Sequence, residues 1–130
     1  LMYAEAMNEL GKMDEAVWNK TIRPLRERAG FTDAPSLIYP TEGNMQTIIR
    51  RERRVELAME GLRIFDIRRW KTAENVLNGY PHGAQFGEAS IDNGYIRLEK
   101  RTFNPERDYL WAVPLSQKDL NPNLGQNPGY

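Results

Sequence analysis

Apolar residues recur at helical spacing through roughly the first half of the chain and then lose their period. Leu1–Leu10 places Met2, Ala6 and Leu10 on one face of a short helix. Gly11 follows, the residue best suited to the left-handed turn that ends a helix. Asp14 is placed to cap a second helix reaching Ala29, whose apolar positions are Val17, Trp18, Ile22 and Leu25. Trp18 is its expected inward anchor. Pro24 falls inside this stretch, where it removes a backbone donor and clashes with the preceding turn, so a kink or break near Arg23 is expected. Phe31–Gly43, with Pro35, Pro40 and Gly43, shows no period and reads as a connector. Asn44 can then cap a helix beginning at Met45, with Ile48 and Ile49 continuing its apolar face.

The segment Ile48–Trp70, IIRRERRVELAMEGLRIFDIRRW, combines ordered charge with ordered hydrophobicity. At about 100° per residue, Arg53, Glu56, Glu60 and Arg63 fall within roughly 80° of one another on a helical wheel. Ile48, Val55, Met59 and Leu62 form a stripe beside them. Opposite charges three and four residues apart pair along such a face, and beside an apolar stripe they need that pairing. The expectation is a ladder of ion pairs on one helix, clamped against a core. Gly61 costs about 1 kcal/mol in a helix interior relative to alanine and marks a bend or a close helix contact.

Asn78–Tyr95 holds four glycines and a proline, with no helical period. Tyr95–Phe103 alternates weakly and is expected to pair with Tyr109–Val113 as a short ribbon. Leu115–Tyr130, rich in Asn, Pro and Gly, shows one turn around Ser116–Leu120, with Ser116 as its N-cap. The predicted fold class is mainly α: a tetratricopeptide-like helical hairpin, further helices, long irregular loops and an irregular C-terminal tail. Ala4–Ala16, AEAMNELGKMDEA, is similar to part of a tetratricopeptide repeat. A single hairpin cannot bury its own face, so further repeats are expected outside these residues.

Charge is balanced over the 130 residues, with 18 basic and 18 acidic side chains, so no overall field favours nucleic acid or anionic lipid. The run Arg50-Arg51-Glu52-Arg53-Arg54 is interleaved with acids and lacks a stacking aromatic, which argues for a charged helix face. Absence of cysteine removes disulfides and thiolate metal sites. Glu52, Glu56 and Glu60 are spaced to present carboxylates together, but a helical di-metal site also needs a histidine three residues from a glutamate. The lone histidine, His82, is far along the chain. Arg53 and Arg63 supply countercharge, which lowers carboxylate pKa values and spoils a general acid. Ser90 and Ser116 have no histidine at a recognisable spacing, and Gly83–Gly87 lacks the strand and helix of a phosphate loop. Catalysis is unsupported, and no cofactor or metal is expected.

Three blocks carry a family resemblance. Glu52-Arg53, Glu56-Leu57, Glu60-Gly61-Leu62-Arg63, Asp66 and Arg69-Trp70 fit the pattern ER..EL..EG.R..D..RW. LMYAEAMNEL opens the chain and YLWAVPLSQKDLNPNLGQNPGY closes it, with Ala112 where proline is frequent. Together they resemble SusD/RagB proteins, the nutrient-binding lipoproteins of the Bacteroidetes outer membrane. The resemblance implies that residues 1–130 form the C-terminal region of a larger protein, a surface-exposed lipoprotein of the cell outer membrane. The chain opens inside a predicted helix and shows no signal peptide or lipid-attachment cysteine, so export and the lipid anchor are expected in an N-terminal part. The implied function is non-catalytic binding of an oligosaccharide or other nutrient for a TonB-dependent SusC-like transporter. Rival readings are a helical-repeat protein-interaction module without a small ligand, and a glycoside hydrolase. The hydrolase would need two well-placed carboxylates in a sugar cleft.

Sugars stack their apolar faces on aromatic rings while amides, carboxylates and guanidinium groups bind the hydroxyls, a mixture suited to ligand sites. Tyr80, His82, Phe86, Asn93 and Tyr95 supply that mixture in the irregular stretch. Tyr80 and His82 are the candidate ligand residues; the competing reading is that these aromatics pin the loop to the helices. Trp70 and Trp111 are expected as core anchors.

Overall fold

A computed structural model describes residues 1–86, 88 and 92–130. The chain divides into two compact units, Leu1–Arg63 and Ile64–Tyr130.

The first unit is helical: α1 (Met2–Glu9), α2 (Glu15–Lys20), α3 (Ile22–Arg28), α4 (Ala34–Leu37) and α5 (Met45–Glu56). Gly11, at φ +65°, turns the chain between α1 and α2, and the expected hairpin forms. The Asp14 carboxylate caps α2 by accepting from the Val17 amide at 2.8 Å. Trp18, Ile22, Ala4 and Ile49 are fully buried together, with Met13, Tyr39, Met45 and Ile48 packed around them. α1 thus presents its small Ala4 to the cluster that holds the indole, while Met2, Ala6 and Leu10 are exposed, contrary to the expected face. The indole N–H donates to the Leu37 carbonyl at 2.8 Å, so Trp18 is buried without an orphaned donor.

The break between α2 and α3 falls at Thr21, where the backbone leaves helical geometry (φ −124°, ψ −73°). Pro24 then lies in the first turn of α3, where a missing N–H costs nothing. The connector contains the short α4, capped by Asp33, whose carboxylate accepts from the Ser36 amide at 3.0 Å. Asn44 caps α5, accepting from the Thr47 amide at 3.1 Å.

The charged segment does not form one helix. α5 stops at Glu56, and Met59 (φ +69°) and Gly61 (φ +73°) turn the chain. A wheel angle has meaning only within a continuous helix, so the ladder through Glu60 and Arg63 is broken. Glu52 instead binds Arg26 of α3 at 2.6 Å, and Glu56 pairs with Arg28 of α3. The acids bridge two helices rather than climb one. Val55 and Met59 are exposed, and Ile49 is the buried residue of α5.

The second unit contains most of α6 (Arg63–Arg69), α7 (Ala73–Leu77), strands β1 (His82–Gln85) and β2 (Tyr95–Arg97), and α8 (Leu115–Leu120). Its core is Ile67, Ala73 and Phe103, with Ile64, Leu77 and Tyr109 against it. Tyr109 packs edge-on to Phe103 at 4.9 Å between centroids, and its hydroxyl accepts from the Ala73 amide at 3.1 Å. Asp66 is buried and ion-paired with Arg69 at 2.9 Å.

β2 pairs with β1 in an antiparallel ribbon, not with Tyr109–Val113 as expected. Asp92, Asn93 and Gly94 all take positive φ and reverse the chain just before β2, which aims it back along β1. Leu98 donates to the Pro81 carbonyl at 3.0 Å, and Gly79 bridges to Arg101, which extends the ribbon.

The tail is held largely by side chains acting on backbone. The Gln126 amide accepts from the Val113 N–H at 2.7 Å and donates to the Val113 carbonyl at 3.0 Å. The Asn127 amide donates to the Trp111 carbonyl at 2.6 Å, and the Tyr130 hydroxyl to the Leu110 carbonyl at 3.1 Å. The cap of α8 is Pro114 rather than Ser116, which lies within the helix and makes no cap bond. Trp111 is no core anchor: its ring is 67% exposed, with the Arg68 guanidinium 3.9 Å from its centroid. Trp70 is only half-buried and stays outside the core cluster, with Arg69 4.8 Å from its ring.

Candidate functional site

The ribbon decides where Tyr80 and His82 go. His82 and Arg97 are directly opposed across the strands, so both side chains leave from one face. Tyr95 precedes Arg97 by two within β2, and strand periodicity returns it to that face, while Tyr80 lies just before β1. The contacts agree. The Arg97 guanidinium lies 4.9 Å from the Tyr80 ring centroid, and the His82 and Tyr95 rings are 5.9 Å apart at 57°.

Asp92 ties the face together. Its Oδ2 hydrogen-bonds His82 Nε2 at 3.1 Å and accepts from Arg97 Nε, while its Oδ1 accepts from Arg97 Nη2 at 2.6 Å. The hydrogen bonds from Arg97 are the main cause that depresses the Asp92 carboxyl, to a pKa of about 2; the bond to His82 adds to this, and partial burial opposes it. The Arg97 guanidinium is raised in turn by the same carboxylate. The residues that follow Asp92 are held from behind: the Gln85 amide donates to the Asn93 carbonyl at 2.9 Å and the Phe86 N–H to the Gly94 carbonyl at 2.8 Å. Asp92 and Asn93 sit at φ +46° and +54°, the left-handed region that Asp and Asn tolerate best among L-residues in turns.

Three of the five residues singled out in the sequence therefore meet on one open face: Tyr80, His82 and Tyr95. Tyr80 and Tyr95 are 47% and 42% exposed, enough to leave ring area accessible to a ligand. Phe86 stands out in solvent at the end of β1, and Asn93 contributes its carbonyl to the loop. Asp92 and Arg97 were missed. The i, i+2 pair Tyr95 and Arg97 was the available signal, but it reads as one face only once β1 is recognised as the partner strand. Ser90 and Gly87 lie outside the described residues.

Several other carboxylates are engaged by arginine, among them Glu52 with Arg26, Glu56 with Arg28, Asp66 with Arg69 and Asp108 with Arg107. Among the described residues, no group of three or more His, Asp and Glu side chains is arranged to hold a metal ion, and no helix is long and apolar enough to cross a membrane. The first unit carries a groove of about 330 Å³ among α3, α4 and α5, with Leu25, Ala29, Phe31 and Val55 as its apolar wall and the Arg26–Glu52 pair on its polar side.

Comparison with known proteins agrees with this architecture. Residues 1–130 match the SusD family. The SusD-like protein P2 of Formosa agariphila is 34% identical over 139 aligned positions, which take in all of this chain and 24% of that protein. A crystal structure of a SusD-like protein from Bacteroides fragilis superposes with a TM-score of 0.70 at 29% identity, over 98% of this chain and 23% of that one. The chain spans about a quarter of the length of these relatives. It belongs to the SusD family.

Proposed function

We propose that this member of the SusD family is the C-terminal region, residues 1–130, of a protein that captures an oligosaccharide or other nutrient without cleaving it. The capture takes place at the outer-membrane surface, as a lipoprotein anchored through its N-terminal part, and hands the ligand to a TonB-dependent SusC-like transporter. Family membership supports the role. Within this chain, the observation that carries the reading is the face formed by Tyr80, His82, Tyr95 and Arg97 around Asp92. Its rings offer apolar stacking area, and its carboxylate and imidazole offer hydrogen bonds to hydroxyls.

The same geometry makes Asp92 unsuited to be the acid of a hydrolase. A retaining or inverting glycosidase needs one carboxyl kept protonated as an acid. Asp92, depressed to about 2, is a carboxylate at any physiological pH. A glycan array on the full-length protein, a reducing-sugar release assay on every bound glycan, and co-purification with the transporter test the proposal together. Binding without release is expected. Sugar release that survives purification would refute it.

The groove in the first unit favours a second reading, a helical module that takes an amphipathic peptide. Failure to bind any glycan or to co-purify with a transporter would favour that alternative.

A further inference from the structure

We propose that the ribbon face selects uncharged saccharides and that Asp92 sets this selectivity. The proposal rests on the reading of that face as a glycan site. An exposed arginine beside aromatic rings is ordinarily the group that recruits a carboxylate or sulfate, because its planar fork binds such anions bidentately. Here the Nε–Nη2 edge of that fork is occupied. Arg97 directs both Nε and Nη2 at Asp92, and its guanidinium lies 4.9 Å from the Tyr80 ring centroid. An acidic sugar would have to displace an ionised carboxylate already seated on that edge, or bind the outer nitrogens of an arginine whose charge the neighbouring Asp92 already offsets.

The charges of the pair agree with this. Asp92 and Arg97 carry opposite unit charges that cancel, so the pair offers no net attraction to an anion. A neutral sugar meets no such barrier. Its hydroxyls can donate to the lone pairs that Asp92 retains, since each carboxylate oxygen accepts more than one hydrogen bond. Its apolar ring face can lie on the exposed parts of Tyr80 and Tyr95. The positive φ at Asp92 and Asn93, with the Gln85 and Phe86 hydrogen bonds behind them, fixes the carboxylate before any ligand arrives. The selectivity is therefore built into the unliganded face. Asp92 acts as a specificity-determining residue and Arg97 as the group it holds in place.

The experiment uses the full-length protein on an array carrying neutral gluco- and galacto-oligosaccharides beside oligogalacturonates and sulfated galacto-oligosaccharides. Calorimetry on the tightest hit of each class follows. The parent should bind a neutral glycan at least about tenfold more tightly than any anionic one, and Asp92→Asn, which frees the arginine, should shift that ratio about tenfold or more toward the anionic class. Should Asp92→Asn fail to fold, the parent carries the test alone: its preference for the neutral class should persist as salt is lowered, whereas a free arginine would draw the anionic class at low salt and overturn the selectivity. A parent that prefers anionic glycans, and loses them in the Tyr80→Ala/His82→Ala variant, overturns the selectivity and keeps the site. Binding of either class that is indifferent to that double variant overturns the site and this inference with it. No binding of any probe overturns both.

Discussion

Replacing Glu52 by alanine removes the partner of the best-buried ion pair in the helical unit. Arg26 is 11% exposed and Glu52 17%, and the guanidinium reaches one carboxylate oxygen through Nε at 3.1 Å and Nη2 at 2.6 Å. Breaking a buried pair from one side typically costs 3–5 kcal/mol, because the remaining charge is left desolvated. Arg26 keeps two other interactions: Nη1 donates to the Ser36 carbonyl at 2.6 Å, and the guanidinium lies 5.0 Å from the Trp18 ring. These hold the cost near the lower end, about 3 kcal/mol. Glu56→Ala should cost about 1 kcal/mol or less, since its partner Arg28 is 64% exposed and the pair is screened. Glu60→Ala, on an exposed turn residue, should fall within about 0.5 kcal/mol of the parent. Urea unfolding of the three variants, read at unchanged m-value, gives the order directly. The paired replacement Arg26→Leu with Glu52→Met should recover most of the loss, because it removes both charges together. Equal midpoints for Glu52→Ala and Glu60→Ala would refute the cross-helix account.

Three further perturbations probe the second unit. Asp92 has a depressed folded-state pKa, so its contribution is present above the ordinary carboxylate value and is lost as pH falls from about 3.8 to about 2; an NMR titration of the ribbon side chains should find that window, and a midpoint at 3.8 would show the clamp is not formed. Gln126→Ala removes both bonds to the Val113 backbone and should cost about 1–3 kcal/mol, with faster hydrogen exchange at Val113; unchanged exchange would mean the tail is held by other contacts. Gly129 sits at φ +83° with Arg107 carbons 2.8 and 2.9 Å from where a Cβ would stand, so Gly129→Ala should cost about 1 kcal/mol or more and loosen Tyr130 from Arg107; a neutral effect on stability and on Tyr130 fluorescence would refute this packing.

Local chemistry was legible in the sequence where one residue decides the outcome. Asp14 and Asn44 cap their helices, Gly11 turns the hairpin, and Trp18 is the buried anchor, because each depends on neighbours a few residues away. Pro24 announced a break but not its position; the chain breaks two residues before Arg23 so that the proline lands in a first turn. The ion ladder failed because helical periodicity was carried through Gly61, and the true partners of Glu52 and Glu56 lie on a helix some thirty residues earlier. Charge pattern gives no information on such distant pairing. The ribbon failed for the same reason: β-propensity marked Tyr95–Arg97 as extended, but strand choice rests on the positive-φ turn at Asp92–Gly94. Asp92 and Arg97 became visible as site residues only with that pairing. The family motifs were legible throughout, although they name no ligand residue.

The most direct test of the account is calorimetry on the full-length protein with its tightest array glycan, comparing the parent with the Tyr80→Ala/His82→Ala variant. Both side chains are partly exposed and outside the core clusters, so the variant should melt close to the parent. Affinity should fall by about tenfold or more, as expected for loss of a stacking ring and a hydrogen-bonding partner. An affinity equal to the parent's, at equal stability, would contradict the assignment of glycan binding to this face.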